Sequence, residues 1–189
     1  MRKNSTAKTT AKGTTRLPTG IRLSVHPEMC HVVCIEFDSI DLMTLHMDGF
    51  STEKEGAIPH RTGHNFEINY ADMRMKRTDV THEERTLYNQ LRVVCPDVKY
   101  VVAWKRGDDL TRRHELQHAK FATSTKFREK VLCIWNTVLS NRQRDCVVAF
   151  LRRCGYPDEV MIDEFQAYYY TERRGFFGCV IDIDIDIDD

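Results

Sequence analysis

Five consecutive residues carry the strongest chemical pattern in the chain: His114-Glu115-Leu116-Gln117-His118 is an instance of HExxH. On a helix, residues four apart are neighbours on one face, so His114 and His118 can share one metal ion. Glu115 points about 100 degrees round the axis, close enough to act on a water at that metal without binding the metal itself. Two histidines are an incomplete set, because catalytic zinc takes three protein ligands and keeps one position open.

The third ligand is sought in Asp163-Glu164-Phe165-Gln166-Ala167-Tyr168. On a helix, Glu164 shares a face with Val160, Ala167 and Tyr168. A carboxylate on so apolar a face is expensive to bury unless it is paired or bound to a metal. The expected metal set is His114, His118 and Glu164, with Zn2+ as the cofactor. Asp163 projects to the side and reads as the acceptor for a ligand histidine N–H, with a rival claim to be the ligand itself. Other arrangements are weaker. Cys30 and Cys34 fall in an expected strand, pointing the same way, and read as core thiols, while His60 and His64 read as loop histidines.

These residues need elements to hold them. His31 to Phe37 is rich in β-branched residues, and Asp38-Ser39-Ile40-Asp41 is expected to turn it into a second strand over Leu42 to Met47. Gly49 to Gly63 reads as a loop, and Asn65 to Tyr70 as a third strand with Phe66, Ile68 and Tyr70 on one face; Met73 and Met75 continue the alternation as a fourth. Thr81-His82-Glu83-Glu84 is a capping box opening a helix that Pro96 ends. Val98 to Trp104 suits a strand, and Gly107-Asp108-Asp109 supplies the break and the cap before the HExxH helix. From Leu110 the chain reads as helices. Ser140-Asn141-Arg142-Gln143 caps one, Gly155 closes it, and Pro157 opens the helix carrying Glu164. The class is α+β: a small mixed sheet in the N-terminal half packed on the HExxH helix, then a helical C-terminal half.

Composition limits what the site can belong to. The chain has 189 residues, 41% hydrophobic and 30% charged, which is enough for one domain with a real core. The zero net charge hides a basic start, residues 1–20, and an acidic Ile/Asp end, residues 179–189. Both are expected to be solvated tails around a domain spanning 21–178. The near-neutral body argues against nucleic acid as the main ligand, and no apolar run is long enough for a membrane span. Seven cysteines without a leading apolar segment point to reduced thiols and an intracellular, cytoplasmic setting.

HELQH followed by the acidic helix DEFQAYYYTE resembles the gluzincin branch of the HExxH zinc peptidases, over roughly residues 98 to 175. The position four residues after the ligand glutamate, an acid in those enzymes, is Tyr168 here. The resemblance implies a zincin-like fold in which a strand edge, here Val98 to Trp104, receives an extended peptide. It also implies a metallopeptidase whose substrate is a peptide or protein. Zinc on His114, His118 and Glu164 would activate a water, Glu115 would act as general base, and Tyr168 or Tyr169 would donate to the oxyanion. The competing class is a non-catalytic, zinc-stabilised interaction domain, in which a thiol such as Cys133 or Cys154 closes the fourth position.

Overall fold

The structure, a computed structural model, describes residues 17–56, 61–181 and 183. Four strands, β1 (Ile21–Val25), β2 (Val32–Phe37), β3 (Gly63–Glu67) and β4 (Tyr100–Lys105), form one mixed sheet in the order β1-β2-β4-β3. β2 and β4 run parallel, while the two outer pairings are antiparallel. The central strands, VVCIEF and YVVAWK, are buried along nearly their whole length because both faces of the sheet are covered. Alternate residues serve the two faces. Val33, Ile35, Phe37, Val101 and Ala103 join the main core, whereas Val32, Cys34, Tyr100, Val102 and Trp104 cluster with Ala119.

Three helices close the main core: α1 (Ile40–Glu55), α2 (Ile68–Arg74) and α3 (His82–Val94). The other face takes α4 (Asp109–Thr123), which carries HELQH. Then follow α5 (Thr125–Cys133), a π-helical turn over Ile134–Val138, α6 (Asn141–Arg153), a 3-10 turn over Asp158–Val160, and α7 (Met161–Thr171). These enclose a second core around Leu151, Met161, Phe165 and Phe177. The α+β class is therefore present, with a mixed sheet first and helices after it. No helix among the described residues is long and apolar enough to cross a membrane.

The caps at Thr81, Asp108 and Ser140 stand where expected, each side chain accepting from the backbone of the first turn. Elsewhere the structure corrects the reading. Leu42 to Met47 is not a hairpin strand but part of α1. Ser39 caps this helix, and Met43, Met47 and Phe50, four and three residues apart, all face the core fully buried. Nor is Gly49 a loop residue. It lies inside α1 because a Cβ there would come within 1.6 Å of Glu84 Oε1. The third strand stops at Glu67, and Ile68, Ala71 and Met75 turn helical to face the core, so no fourth strand follows through Met73.

Three boundaries also shift. Cys30 is exposed ahead of β2 while Cys34 is buried in it, so the pair is not one core cluster. His64 is no loop histidine: it is fully buried in β3, with Nδ1 2.7 Å from Ser51 Oγ; His60 lies outside the described residues. At the C-terminal end, Ile181 is buried in the helical core rather than in a solvated tail, and Leu17 packs against the main core near the other end. Ile183 also packs against the helical core, whereas residues 1–16, 182 and 184–189 lie outside the described residues.

Candidate metal centre

α4 leaves β4 through a tight turn in which Gly107 takes a φ of 82°, and Asp108 accepts from Thr111 N to start the helix. α4 then packs between the sheet and α7. This brings His118, Glu115 and Glu164 into the interior, each at most 6% exposed, with His114 at the rim.

The two imidazoles and the carboxylate converge. His114 Nε2 and His118 Nε2 are 3.2 Å apart. Glu164 Oε2 lies 3.6 Å from the first and Oε1 3.6 Å from the second. With one ligand atom taken from each residue, the set lies within 4.8 Å, a grouping that could hold a metal ion. Glu164 Oε2 is buried without a hydrogen-bond partner among the described residues, as an oxygen reserved for a cation would be.

The outer partners explain why both Nε2 atoms face inward. Asp163 Oδ1 lies 2.9 Å from His118 Nδ1 and also accepts from Gln166 Nε2 at 2.9 Å. Thr171 Oγ1 lies 3.5 Å from His114 Nδ1. The close ion pair at His118 Nδ1 and the longer contact at His114 Nδ1 lie on the far side of each ring from Glu164, so both Nε2 atoms face the carboxylate. Asp163 therefore meets His118 at Nδ1, while Glu164 provides the oxygens nearest the two Nε2 atoms.

Electrostatics point the same way. Burial alone would push the His118 pKa down, but the carboxylates of Asp163 and Glu164 outweigh it and lift the group to about 10. Burial likewise opposes the charge on Asp163, and His118 overcomes it, holding Asp163 below its usual range. Glu115 is raised, chiefly by burial. Asn65 Nδ2 donates to its Oε2 at 2.8 Å. Its Oε1 lies under β3, where a Cβ on Gly63 would come within 2.2 Å, so only glycine admits the carboxylate there. Three carboxylates around two imidazoles form a setting that a divalent cation neutralises.

A cavity of about 330 Å³ opens onto this cluster, walled by Arg61, Thr62 and Gly63 ahead of and within β3, Leu110 and Thr111 of α4, and Tyr156, Tyr168 and Glu172. The Tyr168 ring centroid is 4.5 Å from that of His114, and its hydroxyl is 2.9 Å from that of Tyr156. Burial raises the Tyr168 pKa to about 12, and raises that of Tyr156 as well. Tyr169 is not brought to the cavity. Its hydroxyl donates to the Ile183 carbonyl and its ring packs on Phe165. Neither Cys133 nor Cys154 lines the cavity, and the described cluster consists of His114, His118 and Glu164.

Two residues escaped the sequence reading. Tyr156 sits in a turn between Gly155 and Pro157, with no spacing that ties it to HExxH. Asn65 looked like one polar residue of an alternating strand. The strand edge is also reassigned. β4 has β2 on one side and β3 on the other, so the sheet edge beside the cavity is that of β3. No family model matches the chain, and neither a characterised protein nor a solved structure is significantly similar to it.

Proposed function

We propose that the chain is a zinc-dependent metallopeptidase of zincin-like architecture, cleaving peptide bonds in the cavity above His114, His118 and Glu164. The observation that carries this reading is the convergence of those three side chains, all ligand atoms within 4.8 Å of one another, beside a buried glutamate in an open cavity. Zinc in such a set lowers the pKa of a water and polarises a carbonyl. Glu115 takes the proton of the attacking water and passes it to the leaving amine; burial, by raising its pKa, makes it a better base. Tyr168, oriented by Tyr156, donates to the oxyanion as it forms. An extended substrate adds to the edge of β3 and lies across the cavity from Thr62 and Gly63. All seven cysteines are free, which suits a reducing, intracellular setting.

The cavity favours an enzyme over a zinc-stabilised interaction domain. A purely structural site has its four positions filled by protein, whereas here three described side chains face an open space. The test is metal analysis of the purified chain together with cleavage of a quenched fluorescent peptide mixture. About one zinc per chain, and cleavage lost in Glu115→Gln with zinc retained, is expected. A well-folded chain that binds no zinc overturns the reading, and a zinc-loaded chain that cleaves nothing leaves the interaction domain.

A further inference from the structure

We infer that Asn65 is a positioning residue for Glu115, locked in one amide orientation by Lys54 and Tyr100. The inference rests on the reading of Glu115 as the base. Asn65 is 6% exposed, Tyr100 2% and Glu115 6%, so their polar atoms must answer one another. Asn65 Oδ1 accepts from Lys54 Nζ at 2.6 Å and from Tyr100 OH at 2.7 Å. An ammonium group has donors and no acceptor, so the atom facing Lys54 must be the amide oxygen. The amide nitrogen is thereby turned to Glu115 Oε2, 2.8 Å away.

The consequence falls on the base. With Oε2 engaged and Oε1 lodged under Gly63, the Glu115 carboxylate cannot spin freely. Oε1 is left as the oxygen available to the attacking water. The cluster joins α1, β3 and β4 to the HExxH helix, so the sheet itself sets the angle of the base. Aspartate at position 65 would keep the acceptor for Lys54 and Tyr100 but place an anion against Glu115. Misplacing a reacting group by about 1 Å can lower a rate about 10²-fold, and losing an outer partner typically lowers activity 10–100-fold.

The experiment uses the zinc-loaded full chain, with Asn65→Asp, Asn65→Ala and the milder Lys54→Met, which changes a half-buried side chain and leaves the strand intact. Zinc content and melting temperature establish folding. On the best-cleaved peptide of the fluorescent mixture, kcat is expected to fall about 10–100-fold in Asn65→Asp with KM within about twofold, and less in Lys54→Met. In NMR spectra the Asn65 side-chain amide, identified by its loss in Asn65→Asp, is expected to shift in Glu115→Gln and in Lys54→Met. Wild-type kcat in both Asn65 variants, or an Asn65 amide indifferent to Glu115→Gln, overturns the inference. Should the wild type cleave no peptide, the peptidase reading fails on its own. The visible spectrum of the cobalt(II)-loaded protein then decides: equal changes in Asn65→Asp and Glu115→Gln support positioning, and a change in Glu115→Gln alone overturns it.

Discussion

Two buried charge clusters lie on opposite faces of this sheet, and they are built on opposite plans. Arg74 and Glu84 form a closed pair: Nε meets Oε1 and Nη2 meets Oε2, each at 3.0 Å, Asp79 takes Nη1 at 3.1 Å, and Thr81 N donates to Glu84 at 2.9 Å. Donors and acceptors balance, and Gly49 of α1 packs directly against Glu84. His114, His118 and Glu164 also meet one another, with the two Nε2 atoms 3.2 Å apart and Glu164 3.6 Å from each. Their cluster, however, opens onto a cavity and leaves Glu164 Oε2 without a hydrogen-bond partner among the described residues. A buried salt bridge completed by its own hydrogen bonds closes on itself, whereas a buried carboxylate oxygen left without a donor beside two imidazoles is the arrangement on which the proposed cation site rests.

The contrast can be broken most directly by His118→Ala. It should lower zinc affinity by about 10²–10³-fold, one ligand's share of the roughly 10–16 kcal/mol of four-ligand structural zinc sites, read by chelator competition. Glu115→Gln should keep zinc, as read by metal analysis, while peptide cleavage falls about 10²–10⁴-fold. Arg74→Met should do the reverse. It strands Glu84 and destabilises the fold by about 3 kcal/mol in urea titration, yet leaves one zinc per chain. A loss of zinc in that variant would show that the two clusters are coupled.

Smaller effects sharpen the comparison. Asp163→Asn should weaken zinc binding about 10–100-fold, measured by chelator competition, because His118 Nδ1 loses its anionic partner. In the metal-free chain, His118 has a folded pKa of about 10, above its ordinary value of 6.5. The stability it contributes is full below about 6.5 and is lost as pH rises through about 10. Zinc must displace that proton, so affinity should rise by up to about tenfold per pH unit between 7 and 9, a slope that Asp163→Asn should flatten.

Much of the site was legible because it is local. The spacing of His114 and His118, the Asp108 cap, and a lone carboxylate among apolar neighbours at Glu164 each follow from the 3.6-residue period. α1 was misread because Met43, Met47 and Phe50 were masked by a run of alternating residues, and because Gly49 in isolation signals a turn. Only the nearness of Glu84 explains a glycine inside that helix. Asn65 and Tyr156 were invisible for the same reason, since each acquires its role from partners far along the chain.

What the sequence alone determined is the spacing that puts His114 and His118 on one face of one helix, because a helix repeats regardless of its surroundings. The tertiary structure decided which of two adjacent carboxylates on α7 meets the histidines. Phe165, 1% exposed and packed against Trp135 and Phe177, sets the rotation of α7 about its own axis. That rotation turns Glu164 toward both Nε2 atoms and Asp163 toward His118 Nδ1. Such a choice depends on how one helix beds into a core contributed by the others, which spacing along the chain does not encode.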